Sequence, residues 1–351
     1  MLGQGEVIRQ SRFKLLVLLG IFWSVPSIGV PCTSSLADEG SRLYCNLSRI
    51  SATVVSKSRL LMINQSMKRL AFQDLNQTDP ANYKEMRFSS QPLLQHESNV
   101  NGGNPKKNLT IGNLTFDSDP KFFKKEAVTV GINLTGNVRY VFRRGFYGNV
   151  NAGTNLKHAI GLNERILSNQ ISSCVVKQVT GWNYVDVCTE KTFENKRFNQ
   201  NHNTNFNFKY KRYYGHSDGS TKLFSFGLSK EVNGYEYQGV EISLNQIDLN
   251  DLGQNFAISA RQSKKSSTPF GYTFGYKREI ELFSNNVTFD AQYSFDLLLP
   301  VLGVRREDKR VGLGIKVPLS RRFDMALGYN VNDSSINYFD DRQLSVGIIF
   351  Q

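Results

Sequence analysis

The feature that most constrains this sequence is the strict alternation of apolar and polar residues between Val287 and Gln351. Successive side chains of a β-strand point to opposite faces, so each alternating stretch predicts a strand with one apolar and one polar face. Such strands build either a soluble sheet, whose apolar face covers a core, or a membrane barrel, whose apolar face meets lipid. The apolar positions are Val287, Phe289, Ala291, Tyr293, Phe295 and Leu297, then Val311, Leu313, Ile315, Val317 and Leu319, then Phe323, Met325, Leu327 and Tyr329, and finally Leu344, Val346, Ile348 and Phe350.

The same pattern extends upstream, and its polar face favours the membrane barrel. Between Val128 and Phe142 the polar positions hold Asn, Gly and Thr, a composition typical of a crowded or water-filled lumen. From Glu85 onward we predict an antiparallel up-and-down transmembrane β-barrel of about 12 to 14 strands. The literal count is odd, whereas bacterial barrels have even numbers, so one hairpin near Cys174 or between Pro269 and Asn286 is misassigned.

Composition agrees with this prediction. Aromatic residues reach 12% of the chain, while hydrophobic residues make up only 40%. Barrel strands hide their hydrophobicity by alternating it, and the sequence has no apolar run long enough for a membrane helix. The formal charge of +13 raises nucleic-acid binding as an alternative. The basic residues are scattered over turns and polar strand faces, which argues against that partner.

Three segments precede or form the barrel. Residues 1–37 have the basic start, the short apolar run and the small residues before position 38 that are typical of a signal peptide. Residues 38–84 form a short periplasmic segment, and apolar residues at helical spacing between Ser56 and Phe72 predict one or two helices there. This segment is either an extension packed on the barrel or the remnant of a partner-binding helical domain. Residues 85–351 form the barrel.

The cysteines fit an oxidising compartment. If cleavage follows Ala37, then Cys45, Cys174 and Cys188 remain in the mature chain. Cys174 and Cys188 lie in a segment that reads as a hairpin or loop, so we predict a disulfide between them and a single Cys45.

Three features predict a protein of the bacterial outer membrane, surrounded by membrane lipid. They are the leader, the series of alternating strands and the aromatic residue near the C-terminus. Phe350 resembles the C-terminal signal by which the barrel-assembly machinery recognises its substrates, although Gln351 displaces it from the last position.

Loop and turn segments of residues 85–351 carry a family resemblance. These segments are Glu97–Gly103, Ile111–Phe116, Lys211–Gly215, Gly303–Arg310 and Asn332–Arg342. They resemble the barrel of the surface lipoprotein assembly modifier family, which implies a barrel of about 14 strands that moves lipoproteins to the cell surface. The chain departs from that family in lacking the tetratricopeptide repeats before the barrel.

The strand positions of the polar face, which we call the polar parity, place charged residues in the lumen. Either their basic excess favours anions and acidic chain segments, or the charges pair with carboxylates and plug the barrel. The basic residues expected to line the lumen are Arg139, Lys209, Lys211, Arg261, Lys277 and Lys316, and the acidic ones are Glu241, Asp290, Asp296 and Asp324.

No motif indicates chemistry. The four histidines form no recognisable constellation with a serine or a carboxylate, and no spacing suggests a metal or cofactor site. We therefore predict a protein that is not an enzyme. The first hypothesis is a barrel that assists translocation or surface display of exported lipoproteins. The alternative is a passive, porin-like pore or a structural barrel.

Overall fold

A computed structural model describes most of the chain downstream of the predicted leader. The described residues are Cys32, Ser34 and the ranges 36–48, 57–72, 83–111, 114–215, 220–232, 237–248, 252–263, 270–282, 285–301, 303–320 and 323–350. The basic and apolar parts of the predicted signal peptide lie outside these residues.

The described chain begins with two helices and continues in strands. Two short 3₁₀ helices, Pro120–Phe122 and Asn337–Phe339, lie in connections. The main elements are α1 (Glu39–Ser48), α2 (Lys57–Arg69), β1 (Lys84–Glu97), β2 (Asn108–Ile111), β3 (Leu114–Asp117), β4 (Ala127–Arg143), β5 (Phe146–Ala159), β6 (Arg165–Thr180), β7 (Asn183–Lys196), β8 (Asn199–Gly215), β9 (Thr221–Glu231), β10 (Tyr237–Ile247), β11 (Gly253–Ser263), β12 (Phe270–Leu282), β13 (Asn285–Val301), β14 (Val304–Pro318), β15 (Phe323–Ser334) and β16 (Asp341–Phe350).

Fourteen of the described strands close into one antiparallel barrel. From β4 to β16 each strand pairs with its neighbours in sequence, and β1 closes the circle between β4 and β16. The hairpin of β2 and β3 is a separate sheet in the connection between β1 and β4. The prediction of an up-and-down barrel with a short helical segment before it is confirmed.

Side-chain exposure shows which face of the barrel is apolar. Large apolar side chains point outward along the strands; Ile258 in β11 and Leu313 in β14 are 52% and 53% exposed. Their sequence neighbours point inward and are mostly polar. An apolar outer belt on a closed barrel is the arrangement that hydrocarbon covers. The chain is a transmembrane β-barrel.

No helix among the described residues has the length and apolar character needed to cross a bilayer.

The two ends of the barrel differ. The start of β1 and the end of β16 lie at one end, here called the terminal rim, with two-residue turns such as 144–145 and 181–182. The opposite end, the loop rim, carries the long connection 98–126. Two-residue turns occur at both ends, so the large insertion 98–126 is what distinguishes the loop rim.

The segment around 190–202, which shows no clear strand in the sequence, is a regular hairpin. β7 continues to Lys196 and β8 starts at Asn199, with a turn of two residues between them. Both faces are polar here: Thr189 and Lys191 are exposed on the outward face, where the first half of β7 has Val185 and Val187. Strands that extend beyond the lipid need no apolar face, so alternation is lost without loss of the strand.

Pro92 interrupts the alternation of β1 but not the strand. β1 pairs with β4 along its length, whereas its pairing with β16 covers only Leu93 to His96. Pro92 thus lies beside an edge that has no ladder, which is where strands tolerate proline.

An arginine at position 258 tests which face meets lipid. Ile258→Arg places a charge near the middle of the outer belt and is expected to destabilise the barrel by about 2–4 kcal/mol. The matched variant Ser259→Arg points into the lumen, where it borders a polar cavity and lies in register with Glu241, a carboxylate that can pair with the new guanidinium, so its effect is expected to be much smaller. Urea unfolding in lipid vesicles, followed by tryptophan fluorescence, measures both. Equal destabilisation by the two variants would contradict the assignment of faces.

Candidate functional site

The six basic residues predicted to line the lumen all point inward, and each is paired with a carboxylate. This arrangement favours the second of the two sequence alternatives, in which charges pair inside the barrel, over a lumen with free basic charge. The pairs are Arg139–Glu39 at 2.5 Å, Lys209–Glu241 at 3.0 Å, Lys211–Asp186 at 2.7 Å, Arg261–Asp296 at 2.6 Å, Lys277–Asp290 at 2.8 Å and Lys316–Asp324 at 2.8 Å.

Glycine makes two of these pairs possible, because Gly227 of β9 lies between Lys209 and Glu241, and Gly271 of β12 lies between Arg261 and Asp296. Arg261 on β11 and Asp296 on β13 are separated by β12, and Gly271 is the β12 residue in register with both. A Cβ at Gly271 would collide with the Asp296 carboxylate. Because Gly271 has no side chain, Arg261 and Asp296 can meet across β12 at this position. Neither charge pattern nor alternation reveals such a pair in the sequence, because the partners lie 35 residues apart.

The lumen near the terminal rim is filled by the chain that precedes β1. We call Cys32, Ser34 and residues 36–48 and 57–72 the N-terminal plug. Polar contacts join it to the wall: the Tyr213 hydroxyl donates to the Asp38 carboxylate at 2.6 Å, and the Asn245 amide donates to the Leu36 carbonyl at 2.7 Å.

Glu39 is the centre of the charged contacts of the plug. Its carboxylate binds Arg139 of the wall at 2.5 Å and Arg69 of α2 at 3.0 Å. Arg69 in turn binds Glu85 of β1 at 2.6 Å. All four side chains are at most 20% exposed, so removing one partner leaves a charge without compensation in a place of low polarity.

Apolar side chains complete the seat of the plug. Leu43 and Phe72 of the plug are buried against tyrosines of the barrel wall, and the Trp182 ring lies 4.6 Å from that of Phe72. The wall residues of this cluster point inward, at positions where sequence alternation predicts polar side chains. They are Val141, Tyr147, Val176, Tyr184, Tyr213 and Leu223.

The sequence carries a signal for this apolar packing site. Apolar residues stand next to each other at Tyr140-Val141-Phe142, Val175-Val176 and Tyr213-Tyr214. In each run one residue faces lipid and its neighbour faces the lumen. Doubled apolar residues near the terminal rim therefore indicate that something apolar fills the lumen there.

Disulfides lie in both the plug and the wall. Cys174 of β6 and Cys188 of β7 are cross-strand partners and form the predicted disulfide, which borders the lumen. The prediction of a single Cys45 is wrong. Cys45 is bonded to Cys32, which lies within the predicted leader. Cys32, Ala37 and Cys45 pack together on Ile247 of the wall. Both cysteines therefore belong to one folded unit, which is why Cys45 has a partner.

The connection 98–126 crosses the loop rim. On one side the Asn101 carbonyl accepts a hydrogen bond from the Phe198 amide, in the turn between β7 and β8, at 2.9 Å. On the other side Lys106 binds Asp340, in the connection between β15 and β16, at 2.7 Å. These two connections lie on opposite sides of the barrel in the order of strands. The long connection therefore spans the mouth rather than standing away from it.

Two adjoining cavities lie along the barrel wall in the described part of the chain. They measure about 640 and 890 Å³ and share Gln170 and Ser172 as lining residues. Their volumes lie in the range of sites that hold small molecules.

The walls of the two cavities differ in character. The larger one is bordered mainly by neutral groups such as Ser89 and Thr135, whose hydroxyls lie 2.7 Å apart, and by Asn151, which donates to Ser172 at 3.2 Å. The smaller one is bordered by seven charged side chains, which are Asp186, Glu190, Lys209, Lys211, Glu231, Glu241 and Arg261.

The remaining predicted site residues have the following places. Phe350 pairs with Phe323 at the terminal rim and is 37% exposed on the outer face. His96, His158 and His202 lie on outward parities. His216 lies outside the described residues. Within the described ranges, no three His, Cys, Asp or Glu side chains group closely enough to hold a metal ion.

No protein-family model and no curated protein matches this sequence. Among solved structures, OmpF from Salmonella typhi in complex with daunomycin is 10% identical, with a TM-score of 0.43 over 77% of this chain and 98% of that chain. A BenF-like porin from Pseudomonas fluorescens Pf-5 is 5% identical, with a TM-score of 0.40 over 77% and 98%. The translocator domain of the autotransporter NalP from Neisseria meningitidis is 13% identical, with a TM-score of 0.26 over 86% and 99%. Similarities this low assign neither a family nor a function.

Peptide mapping of the unreduced mature protein tests the plug directly. Because Cys32 is part of the folded plug, we expect Cys32 to be retained and linked to Cys45, and Cys174 to be linked to Cys188. Mass spectrometry with and without reduction identifies both linked peptides. A mature chain that begins at Asp38, as the predicted leader boundary of 1–37 implies, would leave Cys45 unlinked and contradict this expectation.

Proposed function

We propose that this protein is a conditional channel for small polar solutes in the bacterial outer membrane, with the N-terminal plug as its closure. A closed barrel with an apolar exterior and polar cavities inside supports a passage for water-soluble compounds. The observation that carries the proposal is the way the plug is held. Its described contacts with the wall are hydrogen bonds, ion pairs and apolar packing, so it can leave the lumen without breaking the barrel ladder.

The proposed location rests on the architecture and on the leader. Transmembrane barrels of this kind reach the bacterial outer membrane through the periplasm, which agrees with the predicted signal peptide and with an oxidising environment for the two disulfides. Phe350 lies at the terminal rim, the place where a C-terminal signal for the barrel-assembly machinery would be read. Outer-membrane lipid and that machinery are the partners we propose.

Single-channel conductance with a charge-reversed plug tests the closure. In Glu39→Arg the new guanidinium faces Arg139 and Arg69, so two ion pairs become repulsive contacts. We expect wild-type protein to show rare, brief openings in planar bilayers, and Glu39→Arg to raise the open probability by roughly tenfold or more, the effect of about 1.4 kcal/mol.

The matched control is Arg42→Glu, which reverses a charge on the exposed side of the same helix. It should behave like wild type. Large steady currents from wild-type protein, or equal open probabilities for wild type and Glu39→Arg, would contradict a plug that closes the channel.

Assistance to exported lipoproteins is the second candidate. The described lumen already accommodates helical polypeptide, which supports a passage wide enough for a chain segment once the plug has moved. The segments that resemble surface lipoprotein assembly modifiers, such as Lys211–Gly215 at the end of β8, support the same function.

Surface display separates the two candidates. In a strain that lacks this protein, the translocation hypothesis expects one or more lipoproteins to become resistant to protease added outside the cells, with recovery when the wild-type chain is restored. Total lipoprotein amounts, measured after lysis, serve as the control. An unchanged set of protease-accessible lipoproteins would count against translocation and leave the channel proposal standing.

A further inference from the structure

The smaller cavity has a charge balance opposite to that of the whole chain. Residues of β6 to β11 border it, and its three basic side chains are Lys209, Lys211 and Arg261. Each of these bases is engaged by a carboxylate, at 3.0, 2.7 and 2.6 Å respectively. The bases are therefore compensated before any solute enters.

Two carboxylates of the same cavity have no basic side chain bound to them among the described residues. Glu190 of β7 accepts a hydrogen bond from the neutral Gln170 amide at 2.6 Å. Glu231 of β9 has the neutral Asn203 amide 3.2 Å from one oxygen. The nearby Arg261 guanidinium is bound to Asp296 at 2.6 Å instead. The uncompensated charge of this cavity is negative.

The two carboxylates lie in one row across the wall. Asn205 of β8 is in register with Glu190 on one side and with Glu231 on the other. Neighbouring strands lie about 4.8 Å apart, so the two carboxylates arise from backbones roughly 10 Å apart, with an amide between them. A group with several N–H donors placed over Asn205 can reach both carboxylates and the amide oxygen.

A second, buried acceptor faces the same cavity. Asp186 lies on β7 four residues before Glu190, about 13 Å along the strand. It is only 7% exposed. One of its oxygens binds Lys211 at 2.7 Å, whereas the other, Oδ1, has no hydrogen-bond partner among the described residues. A buried carboxylate oxygen without a donor is costly, and a donor from a solute would relieve that cost.

We propose that this cavity binds a linear organic cation with an amine at each end. One ammonium group lies between Glu190 and Glu231 above Asn205, and the other donates to Oδ1 of Asp186. This assignment names the solute class of the proposed channel and rests on it for the route of entry. The residues of the binding site belong to the barrel wall, so binding can be tested whether or not the barrel conducts ions.

Equilibrium binding of spermidine to the full chain in detergent, measured by titration calorimetry, tests the site. Wild type and the plug variant Glu39→Arg are expected to bind one spermidine each. Glu190→Gln and Glu231→Gln should each weaken binding by about tenfold or more, since each removes one charge-assisted contact. Ethylamine has a single ammonium group, so it cannot contact the two glutamates and Asp186 at the same time. It should bind about tenfold more weakly than spermidine, or weaker still.

The control substitution is Glu194→Gln on the same strand and parity. Glu194 is 41% exposed, binds Lys196 and lies outside the cavity lining, so its removal should leave spermidine affinity unchanged. The site is refuted if neither wild type nor Glu39→Arg binds spermidine, if citrate binds as tightly, or if Glu194→Gln weakens binding as much as Glu190→Gln. Spermidine binding without any effect of Glu39→Arg on conductance would retain the site and reject the channel.

Discussion

The hydrogen-bond requirement of the backbone in hydrocarbon determines this structure. Lipid offers no donor or acceptor, so every strand that crosses it must be paired on both sides, and only a closed ladder satisfies all of them. Closure fixes the two parities of each strand, because one face must then meet lipid and the other must meet the enclosed space. The apolar side chains on the outside and the paired charges on the inside both follow from that single constraint.

Enclosure also explains how the charges are arranged. Inside a barrel a basic side chain cannot rely on bulk water, and leaving it without a partner is expensive. The lumen meets this demand with carboxylates on neighbouring strands, with glycines such as Gly271 where the partner lies two strands away, and with Glu39 from the plug. A chain with a formal charge of +13 thus encloses a cavity whose uncompensated groups are acidic.

The sequence predicted the barrel well and the contents of the lumen poorly, for a physical reason. Alternation is a local property that lipid imposes on each strand, so Val287 to Leu297 predicts its face without knowledge of any neighbour. The pairing of Arg261 with Asp296 depends on register across three strands, and the seat of Phe72 on Trp182 depends on how the plug enters. The hairpin of β7 and β8 shows where alternation fails to predict a strand. Beyond the lipid nothing requires an apolar outer face, so the alternating pattern is lost although the strands continue.

The binding site for the plug on the barrel wall forms later than the plug itself. Plug residues come first in the chain, yet the groups that hold them range from the Gly145 amide, which donates to the Ala71 carbonyl, to the Glu279 carboxylate, which accepts from Ser34. Those groups come together only after β4 to β12 have assembled. Until then Leu43 and Phe72 have no wall to pack against, so their burial in the lumen marks a barrel whose wall is complete.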